Sequence, residues 1–492
     1  MRVTKERRVR SAGVFSRFLS MFFCFLLFCT WALPLWAQSS RKPKEFTKEK
    51  IDLLVSGGTV VTMDSGRRVL EDGAIAVRGD RIIAIGPSAE LSAKYTAAHR
   101  IYARGKLVLP GLINGHNHAP MVLFRGLGDD LPLQEWLEKY IFPAEAKNVT
   151  EEFVVWGTRL AALEMIRSGT TTFADMYYFE DAIARETRAA GLRGVLGETV
   201  IDFPAPDNKT PAEALIYTEK FLQRWKGDPL IHAAVAPHSI YTVSEDTLRE
   251  AFALARRYRA PILIHVSETK REVDESRTKN GVSPVGYLEK LGLLGPDVVA
   301  AHCVWVDSAD IALLAERQVG CVHNPSSNMM LASGVAPVVE MLRAGVRLGL
   351  GTDGPAGSNN DLDLMEDMDL AAKLQKVSRM DPRALNARQA LEMATIGGAR
   401  ALHMESEIGS IEVGKKADLI VVGLNSPQAV PMYDLYAQIV YALKASDVQT
   451  VVIGGKVVMR GRRILTLDEA EIMSRAREIG LQVRRSLAAP QK

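Results

Sequence analysis

The chain has 492 residues, 47% of them hydrophobic and 24% charged, with a formal net charge of +3. It is too long for one ordinary domain, long enough for a barrel with a smaller partner, and ordinary in composition for a globular protein. Residues 1–37 hold six Lys/Arg and one acid; that net +5 leaves −2 for the remainder, which excludes a basic face for nucleic acid.

In chain order, the basic stretch ending at Arg17 precedes an apolar run from Phe18 to Ala37. A basic segment, an apolar segment and a small residue before Gln38 predict a signal peptide over 1–37 and an exported protein, periplasmic or secreted. The alternative is an uncleaved membrane anchor, because the run is close to spanning length; Pro34 and the Ala37 end favour cleavage. Membrane contact is expected only through this segment if it is uncleaved. Residues 38–50 are polar and charged and read as a linker. Two of the four cysteines, Cys24 and Cys29, lie in the leader, and Cys303 and Cys321 lie in apolar runs. Buried free thiols are expected there rather than a disulfide scaffold.

From Ile51 the pattern is short β-branched runs and turns: Asp52 to Met63, then Gly73 to Gly86 with a Gly79-Asp80 hairpin signal. Gly409 to Val422 and Val448 to Val458 have the same character near the other end. Neither half is large enough to bury a good core alone. Residues 51–106 and 405–465 are therefore expected to pair into one composite β-sandwich. Helical periodicity from Leu467 to Leu487 predicts a C-terminal helix within 466–492.

Between them, over 107–404, apolar strand-like runs alternate with amphipathic helical stretches. Eight strands are predicted: Leu107–His118, Thr171–Asp175, Gly194–Glu198, Ile231–His238, Pro261–Glu268, Val298–Trp305, Gly320–Asn328 and Arg347–Gly354. Such strands imply a parallel sheet covered on both faces, and eight units imply an α/β fold of the (β/α)8 barrel type. A doubly wound open sheet is the runner-up, although no Gly-x-Gly-x-x-Gly follows an early strand to support a dinucleotide site.

In such a barrel, chemistry sits where the strands end. His116 and His118, one residue apart on an extended strand, point to the same side. His238, His265 with Glu268, His302 and Asp353 end four other predicted strands. Each alone is explained as a polar strand end. Their coincidence at one end of five strands predicts a metal site, since imidazole and carboxylate suit a zinc-like ion.

These residues resemble the amidohydrolase superfamily, in the branch containing S-adenosylhomocysteine/5′-methylthioadenosine deaminases and triazine chlorohydrolases. The resemblance spans about Asp52 to Val458. It rests on Pro110-Gly-Leu-Ile-Asn-Gly-His-Asn-His118, Met121 to Gly126 with Arg125, Glu135-Trp-Leu, His265-Val-Ser-Glu268, His302-Cys, His323-Asn-Pro-Ser-Ser-Asn328 and Gly351-Thr-Asp-Gly354. It implies one divalent metal ion, usually Zn2+ in this branch, on His116, His118, His265 and Asp353. It implies that Glu268 moves a proton from water to a ring nitrogen, and that His302 orients the attacking water with Asp353. No Lys stands at the end of the fourth strand, where His238 is, which argues against the two-metal branch with a carbamylated lysine. Trp136 and Glu145 lie where the deaminases place a stacking tryptophan and a carboxylate for ribose hydroxyls, and His238 matches a sugar-contacting histidine. The expected partner is thus a small heterocyclic substrate. A purine nucleoside deaminase is implied; the alternatives are a chlorohydrolase or deaminase acting on a triazine or other bare heterocycle, and a non-catalytic barrel. The family also implies a homo-oligomer. Two positions depart from the pattern: no arginine precedes Arg224 in the stretch from Asp202, where Lys209 could substitute as a point charge, and Met330 stands where a Lys is frequent. His323 is expected to be structural.

Overall fold

A computed structural model describes residues 48–488 of the chain. The expected leader, and with it the question of export or anchoring, lies outside the described residues. Within them no helix is long and apolar enough to cross a membrane.

Five strands precede the barrel: β1 (Glu49–Val61), β2 (Val69–Arg78), β3 (Arg81–Pro87), β4 (Tyr95–Tyr102) and β5 (Lys106–Pro110). The eight barrel strands are β6 (Leu112–Asn117), β7 (Thr170–Tyr177), β8 (Arg193–Val200), β9 (Ile231–Pro237), β10 (Ile262–Val266), β11 (Val298–His302), β12 (Gly320–His323) and β13 (Arg347–Leu350). They close in sequence order, every pairing parallel, with β13 returning to β6 through Leu350 and Asn114. The (β/α)8 expectation holds, and the open-sheet alternative does not. Four further strands, β14 (Leu419–Gly423), β15 (Val448–Ile453), β16 (Lys456–Arg460) and β17 (Arg463–Ile464), join the first five in one nine-stranded mixed sheet. The two ends of the chain do meet. They do so as one continuous sheet whose seam is the antiparallel pair β5–β14, Leu109 opposite Ile420.

The predicted first barrel strand, Leu107–His118, is in fact two strands. Its apolar half is β5 and belongs to the composite sheet, whereas only β6 belongs to the barrel. The break falls at Pro110-Gly111. A Cβ on Gly111 would lie 2.0 Å from Thr171 Oγ1, so only glycine lets the chain pass between the two sheets. The predicted seventh strand is also shorter: after His323 the chain turns into a helix, Pro325–Met330, because Pro325 is favourable at a helix start.

The helices between barrel strands begin as their sequences dictate. Thr150, Thr210, Ser244, Thr269 and Ser283 each accept a hydrogen bond from the backbone N–H three residues on. The barrel interior packs Ile113, Val195, Leu263 and Val322 against Ile396, Leu402 and Ile408 from the segment after β13. That packing fills the interior with apolar side chains and leaves the polar chemistry to the strand ends. The C-terminal helix runs Glu469–Ala488 and buries Ile472, Ile479 and Val483. Cys303 and Cys321 are buried free thiols, as expected.

One buried ion pair ties the sheet to the barrel. Arg193, at the start of β8, is 1% exposed and pairs with Asp418 at 3.0 Å. Asp418 also accepts from Gly454 N–H through Oδ1, at 2.6 Å, and its backbone carbonyl accepts from Gly111 N–H, at 3.0 Å. Removing one partner of such a pair strands a buried charge. Asp418→Ala is therefore expected to lower the unfolding free energy by about 3–5 kcal/mol in a denaturant titration, and a loss below about 1 kcal/mol would show that water already solvates Arg193.

Candidate active site

Period two in β6 and the turn that follows it bring His116 and His118 toward one oxygen. Their Nε2 atoms lie 3.2 and 3.3 Å from Asp353 Oδ1. The His265 ring centroid, from β10, is 4.8 Å from that of His116, and that of His302, from the end of β11, is 5.5 Å from that of His265. His116, His265, His302 and Asp353 place potential ligand atoms within 4.8 Å of one another, all buried, and could hold a metal ion. His118 stands just outside that tightest group but shares Asp353 with His116. The structure therefore brings together all four residues expected as ligands, and adds His302 at the same centre.

Three of the rings are fixed from behind. Nδ1 of His118 donates to Met176 C=O at 2.6 Å, Nδ1 of His265 to His238 C=O at 2.9 Å, and Nδ1 of His302 to Asn328 Oδ1 at 3.1 Å. A proton held on Nδ1 leaves the Nε2 lone pair free and aimed, as metal-binding histidines require. The far oxygen of Asp353 accepts from Ser327 Oγ at 2.6 Å. Four non-glycine residues at these strand ends, Ser267, His302, Cys303 and Asp353, have φ of 54°, 74°, 48° and 63°. Left-handed backbone costs such residues of order 1–3 kcal/mol each, and its clustering here marks geometry held for function.

Burial lowers His116 to about 4 and His238 to about 3, and drives His265 well below the usual histidine range, so all three are neutral at pH 7. Burial also pushes Asp353 up, but the His116 and His118 rings, whose Nε2 atoms lie 3.2 and 3.3 Å from its Oδ1, outweigh it and hold the carboxyl well below the usual range, although the His116 contact lacks the geometry of a hydrogen bond. For His118 burial pulls downward, yet the bond to Asp353 overcomes it and raises the ring to about 9. At pH 7 the His118 ring therefore carries its second proton on Nε2, toward Asp353, and a cation taken up there would displace it. His116 Nε2 is buried without a hydrogen-bond partner. Neutral lone pairs around a carboxylate, one of them orphaned, are the donor set a divalent cation completes.

The segment Leu133–Asn148, three short helical pieces, covers the barrel mouth. Trp136 donates through Nε1 to Ala356 C=O at 2.8 Å, which commits the indole edge and leaves its ring to line the cavity. Glu145 is buried and accepts from Tyr177 OH at 2.8 Å, with Tyr178 OH 3.5 Å from its other oxygen. Burial raises Glu145 to about 7 against the pull of Tyr177. His238 Nδ1 is engaged by Thr242 Oγ1 at 3.0 Å. Glu268 lies across from His302, Oε2 to Nε2 at 3.9 Å, and burial raises its carboxyl while His302 draws it back. Trp136, Glu145, His238, Glu268, His302 and Asp353 all line one cavity, together with Tyr177, Tyr178 and Tyr241.

Sequence reasoning missed both tyrosines and the residues that hold the ligands, Ser327 and Asn328. The tyrosines had a signal: alternation continued past Asp175 puts Tyr177 on the same side of β7, at the mouth. Lys209 is not among the cavity-lining residues; its Nζ donates to Ala205 C=O at 3.3 Å. Met330 is on the surface and His323 is buried at the end of β12, outside the metal-binding group.

A closed parallel barrel with a buried imidazole–carboxylate centre at its C-terminal mouth has the architecture of a metal-dependent barrel hydrolase. The chain belongs to the amidohydrolase family, whose model matches residues 107–458. It is 51% identical to a 5-methylthioadenosine/S-adenosylhomocysteine deaminase of Syntrophobacter fumaroxidans, over 88% of this chain and 99% of that one. It is 45% identical to a 5′-deoxyadenosine deaminase of Methanosarcina acetivorans, over 87% and 97%. A crystal structure of an adenosine deaminase from Xanthomonas campestris with bound zinc superposes with a TM-score of 0.87, at 39% identity, covering 89% of this chain and 100% of that one.

Ser327 touches the centre only through Asp353. Ser327→Ala is expected to weaken metal retention about 10- to 100-fold in a chelator competition, with the fold intact by circular dichroism. Unchanged retention would mean that the Ser327 hydrogen bond does not set how firmly Asp353 holds the ion.

Proposed function

We propose that this protein is a metal-dependent hydrolytic deaminase of adenosine-type nucleosides, of the 5′-methylthioadenosine/S-adenosylhomocysteine/5′-deoxyadenosine kind. His116, His118, His265 and Asp353 would hold one Zn2+, with His302 turned toward the reacting water. His302 is assigned that place because its Nε2 faces Glu268, whereas His118 Nε2 faces Asp353. When bound, zinc lowers the pKa of water toward ~7 and so makes hydroxide available at neutral pH.

The remaining steps belong to the chain's own residues. Trp136 stacks on the purine and Glu145 with His238 grips the sugar, which sets the C–NH2 carbon over the centre. His302 and Asp353 orient the attacking oxygen. Glu268, buried and with its carboxyl raised, takes a proton from water and passes it to the ring nitrogen beside the attacked carbon, which relieves the charge of the tetrahedral adduct. A second proton goes to the amino group, the C–N bond breaks, and ammonia leaves as the carbon becomes a carbonyl. Read with residues 1–37, the enzyme would act outside the cytoplasm.

The observation that carries this reading is Glu145, a buried carboxylate without a cationic partner, in the same cavity as the hydrolytic centre. A bare triazine offers it no hydroxyl, whereas ribose offers two adjacent ones. The relatives' names support the same substrate class. The test is ammonia release by zinc-loaded protein across 5′-methylthioadenosine, S-adenosylhomocysteine, adenosine, guanine, cytosine and a chlorotriazine. Turnover is expected with the adenine nucleosides; chloride release from the triazine with no nucleoside turnover would overturn the reading. Glu268→Gln is expected to lower kcat by about 10²–10⁴ while metal content, measured by elemental analysis, is unchanged.

A further inference from the structure

We propose that Tyr177, assisted by Tyr178, is a positioning residue that holds Glu145 as a two-oxygen acceptor for adjacent hydroxyls, and thereby makes the enzyme select ribonucleosides over 2′-deoxyribonucleosides. The inference rests on the nucleoside reading above and adds how the sugar is chosen.

Glu145 is 4% exposed, and no lysine or arginine lines its cavity. A carboxylate offers about four lone-pair sites on its two oxygens. Tyr177 occupies one on Oε1 at 2.8 Å, and Tyr178 approaches Oε2 at 3.5 Å. One site remains on each oxygen, which is what two neighbouring hydroxyls need. The terminal torsion of a glutamate is broad and does not fix the carboxylate plane by itself. Tyr177 does so from the end of β7, a rigid element, with its ring 4.9 Å from that of Tyr178. Burial pushes both phenols well above their usual range, so they stay protonated and each has a proton to donate to Glu145. That matters because a neutral carboxyl would donate at one oxygen and lose the fork. Phenol donation favours the ionised form that burial opposes.

The experiment measures KM and kcat of zinc-loaded wild type, Tyr177→Phe and Tyr178→Phe with adenosine and 2′-deoxyadenosine. Wild type is expected to prefer adenosine. Tyr177→Phe is expected to raise KM for adenosine on the order of tenfold, the cost of one hydrogen bond to a charged group, with kcat changed about twofold or less. KM for 2′-deoxyadenosine, which cannot use the fork, should change less than about twofold, so that the preference collapses. Tyr178→Phe, with the longer contact, should do the same more weakly. Equal loss on both substrates, loss confined to kcat, or no change would overturn the proposal. So would a wild-type enzyme that turns over both sugars equally well, a result that stands even if Tyr177→Phe does not fold. Those outcomes leave the deaminase reading intact, whereas a wild type that releases ammonia from neither nucleoside, nor from 5′-methylthioadenosine, contradicts both.

Discussion

One carboxylate oxygen faced by two imidazoles organises this protein. Asp353 Oδ1 lies between His116 and His118, in a volume from which water is nearly excluded. Such burial is costly unless every lone pair and proton has a partner. The structure supplies most of them: Ser327 for the far oxygen of Asp353, main-chain carbonyls for His118 and His265, and Asn328 for His302. His116 Nε2 stays unpartnered. The arrangement could hold a cation, and left-handed backbone at Ser267, His302 and Asp353 belongs to what holds it in place.

The composite sheet serves the same centre at a distance. β5 lies in that sheet, and the chain passes through Pro110-Gly111 directly into β6, which carries His116. The seam with β14 and the Arg193–Asp418 pair fix where β6 begins, at Leu112, four residues before His116. A domain that holds none of the candidate site residues thus sets the origin of the strand on which the metal site starts. The opposite wall is set by Leu133–Asn148, which closes over the mouth and brings Trp136 and Glu145 to the centre.

Much of this was legible in the sequence because two signals are strong. Apolar runs alternating with amphipathic helices specify the barrel, and histidines and acids at strand ends specify its working face. The division of Leu107–His118 was not legible. β5 and the start of β6, Leu112-Ile113, are both buried and apolar, so hydrophobicity does not mark the change of sheet, which shows only in the space Gly111 must leave for Thr171. Tyr177 escaped for another reason: a tyrosine at a strand end reads as core until a carboxylate from Leu133–Asn148, distant in sequence, is seen to meet it. His302, expected beside the water, lies close to the other donors with its Nε2 toward Glu268, and strand periodicity alone does not separate a ligand from a neighbour of the ligands.

The central claim, that these buried donors hold one catalytic ion, is tested most directly by X-ray absorption at the edge of the metal bound to protein prepared in its presence. The account predicts one ion per chain, with nitrogen and oxygen neighbours near 2.0–2.2 Å and the outer-shell scattering of about three imidazole rings. A sulfur neighbour near 2.3 Å, a second metal scatterer, or protein that retains no ion would contradict it.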